Sequence, residues 1–312
     1  MSGIVRVAAA VIVRADGAVL LAQRPPGKPF AGYWEFPGGK LERGETPADA
    51  LVRELHEELG LRVRTPCPWL VQEFVYPHAH VELNFFRVFE WEGELASRDG
   101  QDFEWQTPGT YTVAPLLPAN TRILAALDLP LVYGITNAED SDEDAFLARA
   151  YRALEGGLRL VQVRDKTWPL ARRVTFARSV VGVARRFGAR VLWNGTAEEA
   201  QEASCDGVHW PSATLNAASS RPRGMLLVAA SCHGAGEIAH AGALDLDFAV
   251  LGPLAPTPTH PSAVPLGWTE FARMAESTRV PLFALGGLAA GDLRTAIDAG
   301  AQGVALRRGA WS

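Results

Sequence analysis

Residues 39–61 read GKLERGETPADALVRELHEELGL. Thr46 followed by Pro47 predicts a helix start, with the hydroxyl as N-cap and the proline ring pre-set for the first turn. Gly60 predicts its stop. Within that helix Glu54, Glu57 and Glu58 stand at i, i+3 and i+4, so three carboxylates leave one face. An acidic helix face is ordinarily just a solvated face. Three like charges in one patch repel, however, and a hard divalent cation such as Mg²⁺ reverses that cost. Such a cation takes carboxylate oxygens together with waters and substrate phosphates.

The three glutamates belong to a longer pattern. Gly39, Glu45, Arg53, Glu54, Glu57, Glu58 and Gly60 fill G-x5-E-x7-R-E-U-x-E-E-x-G-U, with Leu55 and Leu61 at the aliphatic positions U. Seven fixed residue types at about 6% usage each make chance agreement roughly one in 10⁸ or rarer. The pattern resembles the Nudix box of hydrolases acting on nucleoside-diphosphate-linked compounds. The flanks extend the resemblance to the MutT branch. Glu35-Phe36-Pro37-Gly38-Gly39-Lys40 is similar to its segment leading into the box. Gly100-Gln101-Asp102-Phe103-Glu104-Trp105 is similar to its segment with a further metal-facing glutamate, and Leu117-Pro118-Ala119-Asn120 to the one whose asparagine reads the base.

This resemblance covers nearly all of residues 4–127. It implies a Nudix α/β/α sandwich with a mixed sheet. It also implies hydrolysis of oxidised purine nucleoside triphosphates, typically 8-oxo-dGTP to 8-oxo-dGMP and pyrophosphate, which sanitises the nucleotide pool and prevents mutation. Mg²⁺, with Mn²⁺ as an alternative, would be held by Glu54, Glu57 and Glu58, joined by resemblance by the Gly39 carbonyl and Glu104. Either Glu54 or Glu104 would take the proton from the attacking water. Arg53 and Glu45 are expected to orient the loop and helix. Asn120 offers a donor and an acceptor in one plane, suited to a purine edge; its other reading is a helix N-cap before Thr121. Arg24 and the backbone at Phe36 are further pocket positions by resemblance. After Pro77, where the branch often has an acidic–basic pair, this chain has His78-Ala79, so a looser base pocket is expected. His78 and His80 alternate on a strand without a third ligand and are expected to face solvent.

The whole chain has 312 residues, which suggests two domains. Its 48% hydrophobic and 21% charged content is that of a globular protein, and the net charge of −5 argues against a duplex nucleic-acid binder. Cys67, Cys205 and Cys232 are scattered and odd in number, which fits a reducing compartment without a disulfide frame or cysteine metal site. The apolar run 7–13 is too short for a signal peptide or a membrane span and reads as a buried strand. A soluble cytoplasmic protein without membrane association is expected.

Runs 5–14 and 18–23 flank Ala15-Asp16-Gly17 and predict a hairpin. Runs 70–74 and 81–91 are strand-like, and 118–127 predicts a short helix. A boundary is placed at residues 128–130, between domains 1–127 and 131–312. Beyond it, strand-like runs at 131–136, 158–163, 190–193, 207–210, 226–231, 248–251, 281–285 and 302–306 alternate with helical stretches such as 143–155 and 170–187. Eight β units alternating with helices read as a TIM (β/α)₈-type barrel. An open doubly wound sheet has the same periodicity.

Residues 131–306 resemble thiamine phosphate synthase and its TenI relatives. The resemblance rests on Gln162-Val163-Arg164-Asp165-Lys166, Asp206-Gly207-Val208-His209, Ser231-Cys232-His233, Gly252-Pro253, Thr257-Pro258-Thr259, Gly286-Gly287 and residues 299–304. Arg164 and Lys166 suit diphosphate binding, and Thr257, Thr259, Gly286 and Gly287 suit a phosphate cradle. The departures are heavy. Asn194-Gly195-Thr196 stands where the synthase has Asn-Asp-Arg with its aspartate on Mg²⁺. A second metal aspartate is replaced near Thr214. His260 stands for a lysine, and Arg307 for a serine. A degenerate barrel that binds a phosphorylated, thiamine-related molecule or has a structural role is therefore expected. The alternative is a bifunctional enzyme of thiamine metabolism.

Overall fold

Strand β1, Val5–Ile12, is buried along most of its length because both of its faces are covered, Ala8, Ala10 and Ile12 on one side and Ala9 and Val11 on the other. It pairs antiparallel with β4, Gly38–Lys40, and parallel with β6, Ala79–Val88, which pairs in turn with β5, Cys67–Tyr76. A second, antiparallel sheet sets β2, Val19–Gln23, between β3, Trp34–Glu35, and β7, Phe103–Gln106. The computed structural model describes residues 3–77, 79–98, 100–256 and 264–311, and divides into units Met1–Asp128 and Leu129–Ser312. The hairpin expected of runs 5–14 and 18–23 forms only its turn, where Gly17 N–H donates to the Arg14 carbonyl at 2.8 Å. Beyond the Val13–Val19 bridge the two strands enter different sheets, β1 pairing with β4 and β6 and β2 with β3 and β7.

Helix α1, Pro47–Leu59, begins and ends as its sequence predicts. Thr46 Oγ1 accepts from Asp49 N–H at 3.2 Å, and Gly60 closes the helix in the left-handed region. Leu51, Leu55 and Leu59 form its buried stripe against Ala8, Ala10, Phe86 and Val88. Those three leucines contribute roughly 5–9 kcal/mol as an upper figure. Helix α2, Thr121–Leu127, follows a 3₁₀ turn at Pro118–Asn120 and packs on the other side, against Ala9, Val11, Leu21 and Phe85. This is the α/β/α sandwich.

The second unit is a closed barrel of eight parallel strands. They are β8 Val132–Ile135, β9 Leu160–Val163, β10 Arg190–Asn194, β11 Gly207–Trp210, β12 Leu227–Cys232, β13 Phe248–Leu251, β14 Leu282–Leu285 and β15 Gly303–Leu306. β8 pairs with both β9 and β15, which excludes the open sheet. Helices α3 Glu143–Glu155, α4 Leu170–Arg185, α5 Ala197–Glu202, α6 Ser212–Ala217, α7 Ala235–Ala243, α8 Gly267–Ala275 and α9 Leu293–Asp298 follow the first seven strands in turn. Tyr133, Leu192, Phe248 and Phe283 are among the residues filling the barrel interior, and a second buried shell lies between strands and helices. Leu129, placed by sequence in the linker, is buried with that interior, and Gln302 Nε2 donates to its carbonyl at 3.1 Å. Among the described residues no helix is long and apolar enough to cross a membrane.

Candidate functional sites

The three box glutamates lie beside the buried stripe of α1, which divides their environments. Glu54 and Glu58 side chains are 16% and 13% exposed, whereas Glu57 is 58% exposed. Arg53 organises them. Its Nε and Nη2 grip Glu45 at 2.7 and 2.9 Å, its Nη1 reaches Glu54 at 3.0 Å and Glu57 at 3.2 Å, and Nη2 also donates to the Lys40 carbonyl at 3.1 Å. Glu45 further accepts Glu42 N–H at 2.7 Å. The Arg53 guanidinium and this N–H hold the Glu45 carboxyl at a pKa of about 2, well below its ordinary range, while Arg53 is pushed above its own value chiefly by Glu45. One arginine thus ties the box loop, β4 and α1 together. Lys28, given no role from sequence, stands 3.8 Å from Glu58.

Gly39 supplies the other half of this geometry. A Cβ there would overlap the Glu54 carboxylate, so the bare glycine lets Glu54 lie directly on the β4 backbone. Three carboxylates around a cradle that a side chain would fill form a hard-oxygen donor set suited to a divalent cation. Among the described residues no three acidic, imidazole or thiol groups already converge on one point, because Glu54 and Glu57 oxygens are turned to Arg53. Glu104 is exposed on β7. Its register partner is Leu21, on the α2 side of the sheet, whereas its neighbours Phe103 and Trp105 pack toward α1.

The segment carrying Asn120 is pinned to β3. Trp34 N–H donates to the Pro115 carbonyl at 2.8 Å, and Leu117 N–H to the Trp34 carbonyl at 2.9 Å. Asn120 is 3% exposed, makes no side-chain cap bond to α2, and its Nδ2 has no partner among the described residues. The capping alternative is thereby removed. Phe36 is buried against Phe85. Arg24 does not stand free: its Nη1 is bound to Glu35 at 2.6 Å and its Nε to the Pro29 carbonyl at 2.7 Å. Burial raises the Glu35 pKa against the pull of Arg24. His78 lies outside the described residues, and His80 Nε2 meets Glu73 at 3.1 Å across the strands.

In the barrel, a cavity of about 430 Å³ opens at the C-terminal ends of the strands, where this architecture builds its sites. Arg164 and Lys166 line it with Gly286 and Gly287, and so do His209, His233, Arg307 and Arg308, none of which was assigned a binding role from sequence. Gly286 has φ +114° and its Cα faces Pro253, an approach closed to any side chain. Thr257, Thr259 and His260 lie outside the described residues. A buried relay runs along the floor. Gln162 Nε2 donates to the Tyr133 hydroxyl at 3.0 Å, that hydroxyl meets His209 Nδ1 at 3.3 Å, and His209 Nε2 meets Ser231 Oγ at 2.9 Å. Burial, reinforced by Arg164 and Lys166, depresses the His209 pKa to about 3. Strand alternation can place His209 inward, but its partners come from other strands and leave no local signal.

A Nudix sandwich carrying a complete box, followed by a parallel barrel with a site at its strand C-termini, defines a two-family fusion: the chain belongs to the Nudix family and to the thiamine monophosphate synthase (TMP-TENI) family. The NUDIX domain model matches residues 4–127 and the thiamine monophosphate synthase model residues 132–310. Among relatives, an 8-oxo-dGTP diphosphatase of Proteus vulgaris is 47% identical over 95 residues, 30% of this chain and 84% of that protein. A CTP pyrophosphohydrolase of Escherichia coli is 39% identical over 128 residues, 39% of this chain and 90% of that protein. A putative thiamine-phosphate synthase of Geobacter sulfurreducens is 37% identical over 186 residues, 59% of this chain and 87% of that protein. The protein is thus a Nudix pyrophosphohydrolase with a thiamine phosphate synthase-like domain. Nudix hydrolases act on nucleoside triphosphates and related compounds with divalent metal ions.

Proposed function

We propose that the N-terminal unit hydrolyses oxidised purine nucleoside triphosphates, 8-oxo-dGTP to 8-oxo-dGMP and pyrophosphate, and so cleanses the nucleotide pool in the cytoplasm. The observation that carries the substrate choice is Asn120. Leaving a buried amide N–H unpaired costs about 1–3 kcal/mol, and a base edge seated there would recover it. Glu54, Glu57 and Glu58, with the Gly39 backbone, would hold Mg²⁺, for which Mn²⁺ can substitute. Such an ion would neutralise polyphosphate charge that otherwise repels the attacking water. Glu54 or Glu104 would accept the proton of that water, while Arg53 and Glu45 would fix the loop and helix. The barrel is proposed to bind a phosphorylated, thiamine-related molecule without acting as a synthase.

The test is a substrate panel of 8-oxo-dGTP, dGTP and CTP on the full chain. The expected order puts 8-oxo-dGTP first by at least about tenfold in kcat/KM. A preference for CTP would replace the purine reading with that of the Escherichia coli relative.

A further inference from the structure

We propose that the barrel cavity binds its phosphorylated ligand without a metal ion, arginine and lysine charges serving where the synthase family uses Mg²⁺. The inference rests on the ligand-binding reading of the barrel and deepens it. The residues do not fit a magnesium site. No aspartate or glutamate lines the cavity among the described residues, and residues 257–263, TPTHPSA, contain none. Mg²⁺ needs at least one or two carboxylates alongside its waters and phosphates. At the position of the expected metal aspartate, Gly195 cannot simply regain a side chain. A Cβ there would overlap the Glu199 carboxylate, which is held by Trp193 Nε1 at 2.9 Å and Thr196 N–H at 3.0 Å.

What the cavity has instead is positive charge. Arg164, Lys166, Arg307 and Arg308 all line it. Among the described residues neither Arg164 nor Lys166 has a carboxylate within ion-pair distance. Burial and like charge pull both below their ordinary pKa values, the neighbour being Arg307 for Arg164, and Arg164 and Arg173 for Lys166. Partly buried Arg164 with Lys166 and Arg307 as like-charged neighbours is costly until an anion arrives. Arg307 occupies the place of the family's serine. Glu139 at 2.9 Å and Asp140 at 3.2 Å pin its Nη2 to the wall, and its buried Nε–H has no partner among the described residues. That leaves one oriented N–H, Nε–H, for a phosphate oxygen, a donor that serine in its place would not supply. Ile135, Val250, Leu285 and Leu288 add an apolar stretch of wall beside polar Gln162, His209, Ser231 and His233. The ligand class is therefore a phosphate ester with a compact apolar or aromatic body.

Calorimetric titration of the full chain with thiamine monophosphate tests this, run once in EDTA and once in excess Mg²⁺, with inorganic phosphate as a second probe. Affinity in EDTA within about threefold of that in Mg²⁺ is expected. Arg307→Ser should weaken binding about 10- to 100-fold, and Arg307→Lys should restore part of it. Arg164→Met should remove it, which assigns the heat to the barrel and not the Nudix site. Binding only in Mg²⁺ would overturn metal independence and leave the ligand-binding reading intact. No binding of either probe in either buffer would overturn both.

Discussion

Gly39→Ala separates the box as a site from the box as a structural element. The added Cβ would fall on the Glu54 carboxylate, the flexible end of a side chain, not on backbone. Relief is a rotation of Glu54 away from β4, costing up to about 1.5 kcal/mol, so the unfolding temperature should drop by no more than about 5 °C. Function should suffer far more. The rotation removes one of three carboxylates from the cradle and breaks the 3.0 Å contact to Arg53. A loss of about 100-fold in kcat/KM is expected, equivalent to about 2.7 kcal/mol. The assay is steady-state pyrophosphate release from 8-oxo-dGTP over a Mg²⁺ titration. Glu54→Gln and the double variant complete a thermodynamic cycle. If Gly39 acts through Glu54, the double variant loses no more than Glu54→Gln alone. A Gly39→Ala enzyme within threefold of wild type, or fully additive losses, would refute the placement of Glu54.

Glu57→Gln should abolish metal-dependent turnover with folding intact, while Glu104→Gln should leave the Mg²⁺ titration unchanged; the reverse pattern would place Glu104 in the metal cluster. For Asn120→Ala, discrimination between 8-oxo-dGTP and dGTP should fall about 5- to 100-fold with little change in phosphate chemistry, and equal losses on all nucleotides would remove it from base reading. His209 gives a pH signature. Its folded pKa of about 3 lies below the ordinary 6.5, so the unfolded chain takes up the proton first as pH falls. The barrel keeps this stability fully above pH 6.5 and loses it progressively down to about pH 3, with about 2 kcal/mol gone by pH 5. Urea unfolding at pH 7 and pH 5 should show that loss shrink in His209→Gln; an unchanged slope would mean that other groups carry it.

Residues 39–61 determined much by themselves. Helix start, helix stop and the clustering of three glutamates are local consequences of 3.6-residue periodicity and capping chemistry, so they were legible without tertiary information. The eight barrel strands were equally legible, because each is a short buried run set off by turns. Other features are non-local. The separation of β1 from β2 lies in which strands each of them pairs with. Closure of the barrel depends on β8 meeting β15. The face from which Glu104 leaves its strand depends on its register with β2, and the difference between half-buried Glu54 and exposed Glu57 on where α1 packs. In the barrel, sequence identified missing carboxylates one position at a time. Only the fold brought Arg164, Lys166, Arg307 and Arg308 around one cavity, because charges from different strands sum in space and not along the chain.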